Sequence, residues 1–332
     1  MLLFFCVLIL IMRKLVPGSV AETPDASLLA SEEQKIIETY YDIYETEEIQ
    51  NIVFIDGEPY TPKENIDTYL LIGIDTFGEL EAQEGNRNSY QSDVVMLLVV
   101  DRNNETYSMI QFNRDTMAEI TVLGTTGERM RFETAQLAFS HTYGSGLEDS
   151  CELTVEAVER LLLDTPIDHY VSLSMDAIGI LNDEAGGVTV TIPCDLTSKD
   201  PALIEGETVT LNADQAEIFV RSRMGLDEPT NIARMERQRI YLDAWQAQVK
   251  TNVQNDAEYA LNVITALSDY MITDLYLDDL ANLANDLTVY ESNGIYTIEG
   301  ESVEGEEFME FYPDEASITA IVAELFYDEV EI

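Results

Sequence analysis

Five arginines, Arg221, Arg223, Arg234, Arg237 and Arg239, fall within nineteen residues of a chain that carries only 17 Lys and Arg against 64 Asp and Glu. The 82 residues after Lys250 hold twenty acidic residues and no Lys or Arg. A chain so poor in cations that gathers them in one stretch points to an anion held there. The planar guanidinium fork matches phosphate or carboxylate oxygens two bonds at a time. The plainer alternative is a decorated helix surface, in which each arginine pairs with one of the abundant carboxylates for about 1 kcal/mol or less. Spacing separates the five. Arg234, Arg237, Gln238 and Tyr241 recur at i, i+3, i+4 and i+7, one face of a helix, and Arg239 falls off that face. Arg221 and Arg223 are two apart and face the same way only in extended chain. If both touch one anion, the helix before them must end near Val220.

A second group sits at the ends of apolar runs. Asp75 follows Thr68–Ile74, Asp93 precedes Val94–Val100, and Arg114 and Asp115 come just after Thr106–Phe112. These runs read as strands, and Asn103–Asn104 marks a hairpin turn between the last two. The hairpin brings Asp93 and Arg114 to the same end of a sheet. A lone strand-end aspartate is usually a turn or cap residue. Carboxylates converging beside arginines instead suit a divalent metal with a phosphate, because Mg²⁺ takes a few carboxylates together with substrate oxygens and water.

Around these residues the pattern alternates. Helices are expected at 133–143, 151–163 and 174–184, and short strands at 168–173 and 187–192. Asn212 caps a helix that begins Ala213-Asp214-Gln215-Ala216, and a long helix starts near Asn231 and runs past Trp245. Strands interleaved with helices define an α/β (layered α+β) domain with a mixed central sheet flanked by helices. No Pro- or Gly-rich linker cuts residues 65–330, so 65–332 is expected to be a single catalytic domain.

Composition narrows the partners. A net charge of −47 repels nucleic acid and anionic lipid surfaces, so neither is an expected ligand. The three cysteines, Cys6, Cys151 and Cys194, make no disulfide framework or metal motif and read as free thiols. Residues Met1 to Met12 are uninterruptedly apolar and are followed by Arg13 and Lys14. Such a run is shorter than the roughly 20 residues a spanning helix needs, and its positive charges follow it, unlike those of a signal peptide. Residues 1–16 therefore read as the outer part of a membrane anchor whose first residues precede Met1. Residues 17–64 read as a tether leading into an acidic amphipathic helix.

In order along the chain, Gly73-Ile74-Asp75, Ser92-Asp93 with its apolar strand, Arg114-Asp115-Thr116 and Ala138-Phe139-Ser140-His141-Thr142-Tyr143-Gly144 resemble the core of the LytR–CpsA–Psr family. Pro166-Ile167-Asp168-His169-Tyr170-Val171 and Asp183-Glu184-Ala185-Gly186-Gly187-Val188 resemble its middle section. Asn212-Ala213-Asp214-Gln215-Ala216, Arg221-Ser222-Arg223 and Arg234-Met235-Glu236-Arg237-Gln238-Arg239 resemble its closing motifs. Each piece is weak alone; nine in the right order are specific.

The resemblance implies a single-pass membrane protein with its catalytic domain outside a Gram-positive-type cell and an apolar pocket for a polyprenyl chain. It implies transfer of a phosphoglycan, such as teichoic acid, from a polyprenyl-pyrophosphate-linked glycan to a peptidoglycan or surface hydroxyl. Carried over residue by residue, Asp75 and Asp93 would hold Mg²⁺ (or Mn²⁺). Arg114, Arg221, Arg223 and Arg237 would grip the pyrophosphate, with Arg234 and Gln238 assisting, and Asp115 would orient Arg114. The sequence departs from the family in three places: Gln91 stands where Arg precedes Ser-Asp, Asn113 where Pro precedes Arg-Asp, and Ala135-Gln136-Leu137 where Lys-Ile-Asn is usual. Nearby Arg87 would substitute for the first of these. Two other readings stay open here: a polyprenyl-pyrophosphate hydrolase, which acceptor dependence separates, and a non-catalytic lipid-carrier or wall-polymer binding protein, which turnover separates.

Overall fold

Strands that must be buried on both faces read as unbroken apolar runs, and three of them form the middle of the sheet. They are β3 (Ile66–Ile74), β4 (Ser92–Asp101) and β5 (Thr106–Phe112), preceded by the short β1 (Val53–Ile55) and β2 (Glu58–Pro62). The structure is a computed structural model and describes residues 52–55, 57–222, 231–256, 258–305 and 308–330. The anchor and most of the tether expected over 1–64 thus lie outside the described residues. Among those described, no helix is long and apolar enough to cross a membrane.

After β5 come the hairpin β6 (Met117–Leu123) and β7 (Arg129–Gln136), a 3-10 turn (Leu137–Thr142) and helix α1 (Glu148–Leu161). The chain continues through β8 (His169–Leu173), α2 (Ala177–Glu184), β9 (Val188–Thr191), β10 (Thr208–Leu211), α3 (Ala213–Arg221) and α4 (Asn231–Asn255). The last third holds α5 (Tyr259–Leu267), β11 (Met271–Thr273), α6 (Leu277–Val289), β12 (Glu291–Thr297), β13 (Gly300–Glu304), β14 (Met309–Pro313), α7 (Glu315–Phe326) and β15 (Tyr327–Glu329).

The central sheet has six strands in the order β11-β8-β3-β4-β5-β12. It is mixed: β8 runs parallel to β3 and β12 parallel to β5, while the neighbours β3, β4 and β5 are antiparallel and β11 is antiparallel to β8. Alternation along β3 feeds two cores. Tyr69 and Leu71 face one side, where Leu181, Phe219, Tyr241 and Trp245 from α2, α3 and α4 pack. Leu70, Ile72 and Ile74 face the other, against α1, β6 and α7. Covering both faces removes these side chains from water at about 1.5–3 kcal/mol each, and leaves only the strand ends free to carry chemistry.

The 133–143 stretch differs from the helix expected for it. Residues up to Gln136 pair with β6, from Met117↔Gln136 to Leu123↔Arg129, and only Leu137–Thr142 turns, as a 3-10 segment. Its helical spacing is overridden by a free edge to pair with, a tertiary effect stronger than local propensity. The turn from α2 into β9 requires Gly186 and Gly187, whose φ values are +82° and +84°; a Cβ on Gly187 would also strike Thr210 Cγ2 at 2.8 Å.

Buried polar groups back the sheet end. His141 is fully buried beside Cys151, with ring Nδ1 3.1 Å from the Tyr90 carbonyl, and burial pushes its pKa down to about 4. It is a neutral packing residue, as its surroundings demand. Cys151 and Cys194 are both free.

Candidate active site

A register shift builds the first half of the site. Gly73 pairs with Val94 but Ile74 pairs with Ser92, so Asp93 is the extra residue of a β-bulge. Ser92 and Val94 stay buried while Asp93 turns outward, as bulges beside functional sites commonly re-aim a side chain. The Gln91 carbonyl then accepts hydrogen bonds from the backbone N–H of both Asp75 and Asp93, each at 3.0 Å. Two carboxylate-bearing residues are therefore adjacent at one sheet end, with Asp75 exposed.

The hairpin brings in the second half. Arg114 forms an ion pair with Asp93, donates from Nη2 to Gln91 Oε1 at 2.7 Å, and lies 3.5 Å through Nε from Asp115 Oδ1. Its side chain keeps 35% exposure, so the guanidinium is aimed but not covered. Asp115 in turn accepts from Gln136 Nε2 at 2.9 Å, and the same amide donates to the Met309 carbonyl at 2.6 Å. Asn113 Oδ1 accepts from the Asp115 N–H at 3.0 Å, an Asx turn that shapes the Arg-Asp corner where the family has proline. Gln91, Asn113 and Gln136, the positions that depart from the family, all hydrogen-bond into this corner. They carry no charge, so reading by charge passes over them. Their signal is the position beside each motif.

Arg221 reaches the same end of the sheet by another route. Helix α3 starts with a capping box: Asn212 Oδ1 accepts from Gln215 N at 2.9 Å and Gln215 Oε1 accepts from Asn212 N at 3.2 Å. Its last residue is Arg221, and Ser222 leaves the helix at φ −56° and ψ 126°, close to the break expected near Val220. The Arg221 guanidinium sits 4.8 Å from the centre of the Phe77 ring, two residues beyond Asp75, and pairs with Glu217 one turn back.

Other expected site residues are placed differently. Arg87 lies on Tyr143, 4.3 Å above its ring and donating to its hydroxyl at 2.8 Å; among the described residues none of its contacts joins it to Arg114. Arg237 is 1% exposed, with its guanidinium on the carbonyls of Phe219 and Ser222. Arg223 lies outside the described residues, as do the side chains of Arg234 and Gln238. Arg239 is exposed, as its place off the helix face implies.

The arrangement has the chemistry of a phosphate site. Among the described residues no three His, Cys, Asp or Glu gather into a self-sufficient metal cage. Two hard carboxylate donors at adjacent strand ends suit Mg²⁺, which completes its shell with water and substrate phosphate oxygens. Asp93 meets Arg114 through Oδ1.

A profile of the LytR_cpsA_psr family matches residues 30–325, and the chain belongs to that family. It is 29% identical over 254 residues to a polyisoprenyl-teichoic acid–peptidoglycan teichoic acid transferase TagU of Halalkalibacterium halodurans, covering 73% of this chain and 77% of the relative. A TagU of Enterococcus faecalis is 26% identical over 253 residues, covering 76% and 73%. Among solved structures, TagV of Bacillus subtilis superposes with a TM-score of 0.55 at 22% identity, over 79% of this chain and 97% of that one. TagT bound to LI-WTA superposes at 0.54 and 22%, over 79% and 90%. These structures establish the mixed sheet with flanking helices as the family fold.

Proposed function

We propose that this protein transfers a phosphoglycan from a polyprenyl-pyrophosphate carrier to a peptidoglycan hydroxyl, outside a Gram-positive-type cell and tethered to the membrane through residues 1–16. Family membership and the transferase names of the relatives support the reaction class. The observation that carries the reading to the sheet end is Arg114, held by Asp93, Gln91 and Asp115 yet still partly open, with Asp75 bonded to the same Gln91 backbone and Arg221 on Phe77, two residues after Asp75.

In this reading the acceptor oxygen bonds to the phosphorus that bears the glycan, and the bond from that phosphorus to the bridging oxygen breaks. Polyprenyl phosphate leaves with the electron pair, and the hydroxyl proton leaves to solvent. Little covalent chemistry falls to the protein, so positioning and charge neutralisation dominate. Arg114 and Arg221, with Arg223, grip the pyrophosphate oxygens. Asp115 orients Arg114, while Arg234 and Gln238 complete the binding set from α4 and Arg87 stands at its margin. Asp75 and Asp93 would hold Mg²⁺ (or Mn²⁺), which when bound neutralises phosphate charge and acts as a Lewis acid. Phe77, 54% exposed beside Asp75, offers apolar surface to the carrier lipid.

The test is acceptor dependence. Purified protein with a polyprenyl-pyrophosphate glycan and Mg²⁺ should release polyprenyl phosphate only when peptidoglycan fragments are added, one released per glycan attached. Equal release into water alone would make the protein a hydrolase, and binding without release a carrier.

A further inference from the structure

Arg237 is the largest fully buried side chain among the described residues, and it lies on a face of α4 that is buried from Arg237 to Val249. From Arg237 the buried positions of α4 continue at four-residue steps through Tyr241, Trp245 and Val249. The polar tips on this face are all spent on neighbouring helices. Trp245 Nε1 donates to the Leu181 carbonyl at 3.1 Å, and the Tyr241 hydroxyl donates to Asn182 Oδ1 at 3.2 Å, both on α2. Arg237 does the same for α3: Nε donates to the Phe219 carbonyl at 2.8 Å, Nη2 donates to the Ser222 carbonyl, and Nη1 lies 3.6 Å from Cys194 Sγ.

These partners are significant for three reasons. The last carbonyls of a helix have no intrahelical donors, so a fork that takes two of them caps the helix. The C-terminal end of a helix carries partial negative charge, which a buried cation offsets. Among the described residues Arg237 forms no ion pair, so those carbonyls and that dipole are what make its burial tolerable. Phe219 and Ser222 also flank Arg221, and Ser222 separates it from Arg223.

We propose that Arg237 is a positioning residue for the transfer reaction: its guanidinium clamps the C-terminal carbonyls of α3 and so sets the backbone from which Arg221 reaches the sheet-end cluster, without touching the donor. This rests on the assignment of Arg221 to the donor site, and it reverses the donor contact that the family resemblance implied for Arg237. A lysine cannot replace the clamp, because one ammonium does not reproduce a planar fork that spans two carbonyls.

The full chain can be followed by NMR of its arginine Nε–H groups, with a polyprenyl pyrophosphate and Mg²⁺ as probe. The Arg237 signal should be protected from solvent exchange before the probe is added and stay in place afterwards, while the Arg221 signal moves. A shift of the Arg237 signal as large as that of Arg221 would mean a donor contact and overturn the proposal. In the transfer assay, Arg237→Lys and Arg237→Gln should both lose rate by roughly ten-fold, the scale of one charge-assisted hydrogen bond. Most of that loss should vanish in an Arg221→Ala background, because the clamp acts through Arg221. Wild-type rate in Arg237→Lys, with Arg221→Ala impaired, would overturn the clamp alone. Wild-type rate in Arg221→Ala would instead overturn the site assignment on which the clamp depends.

Discussion

At the scale of single residues, Asp75 offers the cleanest test of the metal. Asp93 is entangled with Arg114, so changing it disturbs two things at once, whereas the exposed Asp75 side chain forms no ion pair with an arginine among the described residues. Asp75→Asn keeps the shape and removes one carboxylate charge from the proposed metal site. The Mg²⁺ concentration needed for half-maximal transfer should rise about ten-fold or more, by analogy with the loss of a ligand partner, while the melting temperature stays put. An unchanged Mg²⁺ dependence would remove Asp75 from the metal site. Asp75, Asp93, Arg114 and Asp115 are legible in the sequence because strand ends can be counted from apolar runs. The bulge that turns Asp93 outward is not legible there, because it depends on the pairing of Ile74 with Ser92 across two strands. Helical spacing groups Arg237 with Arg234 and Gln238 but is silent on which face is buried. The continuation through Tyr241, Trp245 and Val249 is the available sign that it is the core face.

At the scale of elements, α3 is the part whose placement matters most, since it is a nine-residue helix carrying Arg221 at its last position. So short a helix is marginal by itself and depends on its ends. The capping box at Asn212 and Gln215 holds one end, and Arg237 holds the other. Asn212→Ala should destabilise the protein by about 1 kcal/mol, measured by denaturant unfolding, and Asn212→Asp by much less, because aspartate both caps and suits the helix N-terminus. Equal losses for the two would mean that the side-chain acceptor is not what holds the helix. The helix start at Asn212 and the break after Arg221 are readable because caps and spacing are local signals. The β6–β7 hairpin is not, since Arg129–Gln136 becomes a strand only by pairing with Met117–Leu123.

At the scale of the whole molecule, a chain of net charge −47 must attract a polyanionic donor against its own field. Cations concentrated at one sheet end resolve that conflict locally, within the roughly 8 Å over which charge acts in physiological salt. The twelve arginines are therefore not equivalent, and their inequality is what separates a phosphate site from a decorated surface. The most direct measurement compares Arg114→Ala, Arg221→Ala and Arg239→Ala in one donor-transfer assay, with melting curves alongside. Arg114→Ala and Arg221→Ala should each lose about one to two orders of magnitude in rate, the cost of a charge-assisted hydrogen bond to a desolvated phosphate, at little cost in stability. Arg239→Ala should transfer like the wild type. Equal activities across the three variants would contradict the account, leaving the arginines as ordinary surface ion pairs and the sheet end without a role in transfer.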